Sequence, residues 1–101
     1  ADGAGTQEAP SPAPEADRAA ERALLRQART ALGRGRPGDA LSALRAHRAR
    51  YPTSSLAEER MALEVRALEA AGRPDEAARL RARFVERFPA SIFRELVEVP
   101  R

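Results

Sequence analysis

The sequence contains no cysteine, tryptophan or lysine, and its single histidine is His47. Without cysteine the chain forms no disulfide, thiolate metal site or cysteine nucleophile, and a lone histidine cannot build a metal cluster. Aromatic residues make up only 4 % of the 101 residues, and alanine and leucine account for much of the hydrophobic 43 %. Sheets favour β-branched and aromatic side chains, whereas alanine and leucine suit closely packed helices. The composition therefore predicts one small all-α domain with no cofactor.

Long hydrophobic runs are absent as well. No segment approaches the roughly 20 apolar residues that span a bilayer, and the charged and apolar regions of a signal peptide are not present. The chain begins Ala1-Asp2-Gly3 without methionine, which indicates a processed form or a fragment and leaves room for a targeting segment upstream. The use of arginine alone as the basic residue, together with abundant alanine, is typical of a GC-rich bacterial genome.

The charges are unevenly distributed along the chain. Residues 18–50 contain nine arginines and two acids, an excess of 9 − 2 = +7, whereas residues 51–101 contain nine of each and residues 1–17 carry a charge of −4. Three interpretations are open: the acidic tail folds back on this region, the region meets an acidic partner or anionic lipid, or it binds nucleic acid electrostatically. No basic stripe is interleaved with aromatic residues, which disfavours nucleic acid.

Residues 1–17 differ in composition from the rest of the chain. They include Pro10, Pro12 and Pro14 and no Leu, Ile, Val, Phe or Met. Such a segment cannot bury enough apolar surface to offset its ordering entropy, so we predict a disordered, acidic, Pro/Ala-rich linker. A proline-rich ligand for a partner domain is the alternative. Residues 18–99 are the predicted helical domain, with Asp17 as the N-cap of its first helix.

Glycine and proline divide that domain into four helices and a short fifth helix. Ser54 or Ser55 is expected to cap the third helix, and Ser91 to cap the fifth, which should run to about Val97. The residues expected to mark the helix ends and starts are Gly33, Gly35, Pro37, Tyr51, Pro52, Gly72, Pro74, Pro89 and Pro100.

The chain also repeats itself with a period of 37 residues. The matches fall at turns and at core positions, so the repeat predicts two stacked helical hairpins followed by a short capping helix. The equivalent pairs are Ala20 and Ala57, Glu21 and Glu58, Gly35 and Gly72, Arg36 and Arg73, Pro37 and Pro74, Ala40 and Ala77, Arg50 and Arg87, Tyr51 and Phe88, Pro52 and Pro89, and Ser54 and Ser91.

This repeat resembles the tetratricopeptide repeat (TPR) family. Ala40 and Ala77 each lie five residues after a turn glycine, where the family has a small residue at its close helix crossing. Tyr51-Pro52-Thr53-Ser54 and Phe88-Pro89-Ala90-Ser91 are similar to the link found in bacterial envelope proteins of the BamD-like and YbgF-like subtype. The resemblance covers roughly residues 18–93. It implies a non-catalytic protein-protein interaction module, a scaffold or adaptor, in the tethered tail of a larger bacterial envelope or regulatory protein, with the periplasmic side or a membrane-tethered position favoured over the cytoplasm.

The same resemblance implies a concave groove lined by the first helix of each repeat. The residues carried over to this protein-binding groove are Arg22, Leu25, Arg29, Leu32, Glu59, Ala62, Arg66 and Glu69. Arg29 and Arg66 are repeat equivalents and are expected side by side, where two guanidinium groups can hold a carboxylate of an acidic peptide. The alternative is that both are solvated arginines on a helix surface.

His47 is the remaining candidate for chemistry. It is equivalent to Phe84 in the second repeat, which predicts a packed structural position. No serine, cysteine or second histidine is arranged in the sequence to partner it, so we predict no catalytic residue and no enzymatic activity.

The C-terminal stub carries the apolar residues Ile92, Phe93, Leu96 and Val97. They are expected either to cover the open end of the stack or to form a dimerisation patch. Self-association is therefore an alternative to protein binding, as is electrostatic binding of nucleic acid or anionic membrane.

Overall fold

The computed structural model describes residues 15–98, and these residues form five helices and no strand. The helices are α1 (Glu15–Gly33), α2 (Pro37–Arg50), α3 (Ala57–Ala70), α4 (Pro74–Arg87) and α5 (Arg94–Glu98). The predicted all-α fold is confirmed. Most of the predicted linker, residues 1–14, lies outside the described residues, as does Pro100. Residues 15–17 belong to α1, so Asp17 lies in the first turn of that helix and is not its N-cap.

The helices pair as two stacked hairpins. α1 packs on α2, α3 packs on α4, and α3 also contacts both helices of the first hairpin. α5 contacts α3 and α4, at the far end of the stack. α2 and α4 do not contact each other within the described chain. The central helix is therefore α3, and this arrangement confirms the predicted pair of stacked hairpins with a short fifth helix.

The turn within each hairpin has the same backbone structure. Gly35 and Gly72 have φ values of 71° and 76°, a left-handed conformation that a residue with a Cβ adopts at a cost. The amide of Arg36 donates to the carbonyl of Ala31 at 2.8 Å, and the amide of Arg73 donates to Leu68 at 2.9 Å. Both turns are Schellman motifs, which satisfy the last carbonyl groups of a helix. A proline then occupies the first turn of α2 and of α4, as predicted.

The link that ends each hairpin also recurs. Tyr51 has φ −131° and ψ 61°, and Phe88 has φ −130° and ψ 66°. Three residues before α3 begins, the hydroxyl of Ser54 accepts a hydrogen bond from the amide of Leu56 at 2.8 Å. Three residues before α5 begins, the hydroxyl of Ser91 accepts one from the amide of Phe93 at 2.9 Å. The serines therefore stabilise the approach to each helix, but they are not its N-cap, since Leu56 is the N-cap of α3 and makes no side-chain cap.

Two apolar clusters form the core, one on each side of α3. The first lies between α1, α2 and α3, and the second between α3, α4 and α5. Ala28, Ala40 and Ala77 are fully buried, and their small side chains let the helices approach closely. Phe84 and Val97 fill the second cluster, and burial of each such side chain contributes about 1.5–3 kcal/mol relative to exposure.

The apolar residues of the stub divide between core and surface. Val97 is fully buried and Phe93 packs against the second cluster, whereas Ile92 is 86 % exposed and Leu96 is 38 % exposed. The four side chains therefore do not share one face: two of them cover the end of the stack and two point outward.

Candidate functional site

Half of the predicted groove surrounds one small cavity between α1 and α3. Its lining includes Arg22, Leu25, Arg29 and Glu59, and its volume is about 160 Å³. Leu25 is only 2 % exposed and belongs to the first core cluster. Arg29 forms an ion pair with Glu59 across the two helices. The cationic group expected to meet a partner is therefore already bound to a carboxylate of its own chain.

The other half of the predicted groove lies elsewhere. Ala62 is 1 % exposed in the second core cluster, and Leu32 packs against the first. Glu69 forms an ion pair with Arg81. Arg66 is exposed and lies seven residues after Glu59, about 10 Å further along α3 at the rise of an α-helix. Arg29 therefore binds Glu59 of its own chain and does not form, together with Arg66, the predicted binding site for a ligand carboxylate.

A larger opening lies on the opposite side of α3, between α2 and α4. These two helices each pack on α3 with their Cα atoms more than 8 Å from one another, and they leave a cavity of about 330 Å³. We call it the α2–α4 cleft. Its residues are the leucines Leu41, Leu68 and Leu80, the arginines Arg45, Arg48, Arg73, Arg79 and Arg83, and the glutamates Glu64 and Glu76.

Two arginines of the α2–α4 cleft are engaged with its two glutamates. Arg48 donates to Glu64 at 3.3 Å, and Arg73 donates to Glu76 in the first turn of α4. The hydrogen bond from Arg73 lowers the pKa of the exposed Glu76 carboxyl. The guanidinium groups of the remaining arginines, Arg45, Arg79 and Arg83, make no hydrogen bond or ion pair with any residue between 15 and 98.

Glu64 lies at the base of the α2–α4 cleft on the central helix. It is 5 % exposed, and burial raises the pKa of its carboxyl, against the opposing effect of Arg48 and the other nearby guanidinium groups. Its position follows from the fold: α3 is covered by α2 on one side and α4 on the other, so two of its charged residues, Arg60 and Glu64, are buried.

A second polar cluster is buried around His47, which is fully shielded from solvent. The Nε2 atom of His47 lies 2.9 Å from a carboxylate oxygen of Glu21, and Nδ1 lies 3.4 Å from a guanidinium nitrogen of Arg60. The tautomer with hydrogen on Nε2 satisfies both contacts, because it donates to the carboxylate and accepts from the guanidinium. Ser54 donates to the same oxygen of Glu21. The cluster joins α1, α2, α3 and the link between the hairpins.

The order of groups in this cluster differs from that of a hydrolytic triad. A triad requires the histidine between the nucleophile and the acid, with a hydrogen bond from the hydroxyl to the imidazole. Here Glu21 lies between Ser54 and His47, and the serine hydroxyl also accepts the amide of Leu56. These contacts fix the packing of the hairpins. The prediction that His47 is buried and packed is confirmed.

Two polar atoms of the cluster are buried without a hydrogen-bond partner in the described chain, which lowers the stability of the fold. Arg60 is 5 % exposed, its Nε atom has no hydrogen-bond partner among the described residues, and burial lowers the pKa of its guanidinium. The hydroxyl of Tyr51 is likewise buried without a partner in that part of the chain. The ring of Tyr51 lies 5.5 Å from the imidazole of His47, as Phe88 lies 5.5 Å from Phe84. The first hairpin therefore keeps the ring packing of the second and adds buried polar groups to it.

The sequence contained a signal for this network that repeat matching alone does not use. His47 stands where the second repeat has Phe84, and Arg60 stands where α5 has Val97, 37 residues later. Two polar residues at apolar repeat positions in adjacent helices indicate a buried polar contact. The arginines of the α2–α4 cleft are not identified in this way, because the repeat equivalents of Arg45 and Arg83 are Ala82, which is exposed, and Ala46, which is only partly buried.

Comparison with family models, curated proteins and solved structures finds no match for this chain. Across residues 15–98, no group of three or more histidine, cysteine, aspartate or glutamate residues is arranged to hold a metal ion. In the same range, no helix combines the length and hydropathy needed to cross a bilayer.

Proposed function

We propose that this chain is a non-catalytic protein-binding module of TPR-like design, a scaffold or adaptor within a larger bacterial envelope or regulatory protein. The observation that carries the proposal is the recurrence, 37 residues apart, of one hairpin turn and one link with matching dihedral angles. Repeated hairpins of this kind build stacks whose outer surfaces serve as binding surfaces.

The use of the ionisable groups supports the same proposal. His47, Glu21 and Ser54 bind one another inside the stack, where their contacts join the hairpins. Arginines are instead concentrated on the surface, several of them unpaired along the α2–α4 cleft. Surfaces rich in arginine are common in protein recognition, since the planar guanidinium binds carboxylates at two points.

Peptide display on the whole chain tests the proposal. Random peptides are selected on the immobilised protein, and the enriched peptides are measured by calorimetry at low and moderate salt. We expect dissociation constants in the micromolar range that persist at moderate salt, with preference for particular sequences. Binding of every anionic probe alike, collapsing as salt increases, would indicate the electrostatic alternative of nucleic acid or anionic vesicles. Selection of no peptide above background would refute the protein-binding function.

Self-association through the C-terminal stub is the other alternative, and the structure defines the variant that tests it. Ile92 and Leu96 are its exposed apolar residues, whereas Phe93 packs inward. A concentration-dependent mass that Ile92→Asp removes would support a dimer through this patch. A single mass for the wild type over the whole concentration range would exclude it.

A further inference from the structure

We propose that the α2–α4 cleft binds an acidic peptide segment, with the peptide's carboxylates on Arg45, Arg79 and Arg83 and one of its apolar side chains over the leucine floor. The proposal rests on the protein-binding function and names the surface and the chemistry of the partner.

The charge of the cleft favours an anionic occupant. Five arginines face two glutamates, a net charge of 5 − 2 = +3. The two glutamates are matched by Arg48 and Arg73, so the three arginines without an ion pair in residues 15–98 account for the excess. Each presents a planar group that fits a carboxylate by two parallel hydrogen bonds.

The arginines stand on both walls of the cleft. Arg45 lies on α2, while Arg79 and Arg83 lie one turn apart on α4. Their fields converge on the space between the helices: Arg45 and Arg83 both act on Glu64, and Arg45 and Arg79 both act on Glu76. An extended peptide lying between α2 and α4 therefore passes between cations on its two sides.

Three leucines lie beside Glu64 in the floor of the cleft and form an apolar surface there. Leu41 and Leu80 are 6 % and 8 % exposed, and Leu68 is partly buried between them. The cavity of about 330 Å³ above them lies between α2 and α4, whose Cα atoms stay more than 8 Å apart. An apolar side chain placed there gains burial without any movement of the helices.

Glu64 sets where the charges of the ligand can go. Its carboxylate is at the base of the cleft, paired with Arg48 at 3.3 Å, and it repels an anion placed deep in the cavity. The carboxylates of the ligand must therefore remain at the rim, near Arg45 and Arg83, while an uncharged side chain enters. This distribution matches a peptide in which acidic and apolar residues alternate.

An acidic peptide fits better than nucleic acid. No aromatic residue is among those that line the cleft, and sequence-tolerant binding of single strands relies on stacking of bases on aromatic rings. An alternating acidic and apolar segment uses both the arginines and the leucines, whereas a polynucleotide uses the arginines alone.

The probe for the test is a fluorescein-labelled peptide of alternating glutamate and leucine, measured by fluorescence anisotropy with the full chain at moderate salt. We expect the triple variant Arg45→Gln, Arg79→Gln, Arg83→Gln to weaken binding by about tenfold or more, since three charge-assisted contacts are removed. All three residues are exposed, so circular dichroism should show an unchanged fold. A peptide with glutamine in place of glutamate should bind neither protein.

The matched control removes three charges from the other side of the stack. Arg18, Arg26 and Arg34 are exposed residues of α1 and of the turn that follows it, and their change to glutamine should weaken binding by about threefold or less, the contribution of long-range attraction. The variant Glu64→Gln should tighten binding by about threefold to tenfold, because it removes the opposing charge at the base of the cleft.

Three results would overturn the proposal. Equal losses in the two triple variants would show that net charge, and not the cleft, determines binding. Competition by a single-stranded oligonucleotide at the affinity of the peptide would identify nucleic acid as the occupant. If peptides selected by display bind the wild type and the Arg45, Arg79, Arg83 variant alike, the cleft is not the binding site, although the protein-binding function stands. The protein-binding function itself fails only if neither the selected peptides nor the alternating peptide binds the wild type.

Discussion

Replacing His47 by phenylalanine tests whether the buried polar cluster acts as one unit. The second repeat places Phe84 at the equivalent position, also fully buried, so the ring itself fits this layer of the fold. The change removes the contacts of the imidazole with Glu21 at 2.9 Å and with Arg60 at 3.4 Å. Glu21 keeps its hydrogen bond from Ser54. Arg60 has no other side-chain hydrogen bond within residues 15–98.

The expected cost follows from these contacts. A hydrogen bond to a charged group contributes about 1.5–3 kcal/mol, and a buried group left without a partner costs about 1–3 kcal/mol. The greater apolar surface of phenylalanine returns on the order of 1 kcal/mol. We expect His47→Phe to lower the free energy of unfolding by about 2–3 kcal/mol, a large share of the roughly 4–13 kcal/mol typical of a domain of this size.

Arg60→Met completes a double-mutant cycle. Methionine fills a similar elongated volume without a charge, and replacing a buried ion by an apolar residue is often neutral or stabilising. In the background of His47→Phe, the second change should restore about 1 kcal/mol or more, since it removes the unpaired guanidinium. In the wild type Arg60→Met should raise the free energy of unfolding by less, because the Nδ1 atom of His47 then loses its hydrogen-bond donor.

Urea unfolding followed by far-UV circular dichroism at neutral pH gives the four free energies. Tyr51→Phe is the matched control, because it also replaces a residue of the first repeat by its counterpart in the second, Phe88. The hydroxyl that it deletes has no hydrogen-bond partner in the described chain, so the free energy of unfolding should stay unchanged or rise. Additive effects of His47→Phe and Arg60→Met would refute the cluster as a coupled unit. A His47→Phe protein as stable as the wild type would show that the imidazole contacts contribute nothing.

Three further predictions concern the turns, the base of the cleft and the stub. Gly35→Ala and Gly72→Ala should each lower stability by about 1 kcal/mol, because both residues have a positive φ that alanine adopts at a cost. An added Cβ meets no atom within 4 Å at either position, so the loss is due to the backbone alone, and equal melting temperatures for variant and wild type would contradict it. Burial raises the pKa of the Glu64 carboxyl, so the folded state binds its proton more tightly than the unfolded state and the free energy of unfolding should fall as pH rises from about 4; urea titrations should show this fall in the wild type and not in Glu64→Gln, and identical pH profiles would refute it. Val97→Asp should unfold the C-terminal end because it buries an unpaired carboxylate, whereas Ile92→Asp on the exposed side should change the melting temperature little; similar losses in both would contradict the division of the stub.

The helices and their order could be predicted because glycine and proline act locally. The positive φ of Gly35 and Gly72 and the start of α2 and α4 at Pro37 and Pro74 depend on the conformational limits of those residues. The N-terminal boundary could not be set in the same way, since Asp17 suits a first helical turn as well as an N-cap. Both Asp17 and Glu15 lie in the first turn of α1.

The binding surfaces depend on how the helices are rotated about their axes, which the repeat does not specify. Position-by-position transfer placed Leu25 and Ala62 in a groove, but both are core residues because the α1 and α3 faces that carry them meet other helices. Arg29 was expected free and is bound to Glu59. The α2–α4 cleft combines residues that are not repeat equivalents, so only the packing of α2 and α4 on α3 brings its arginines together.

The recurring link has a consequence for the length of the molecule. Tyr51 and Phe88 leave their helices with dihedral angles that agree within 1° in φ and 5° in ψ, so the chain emerges from each hairpin in the same direction relative to that hairpin. A 37-residue unit copied between Phe88 and α5 would continue the stack by the same screw operation, with α5 carried to the new end. Each unit added in this way would place one more helix beside α4, and a second opening of the α2–α4 kind would follow. The number of clefts, and with it the number of peptide segments bound along one chain, is then set by gene duplication.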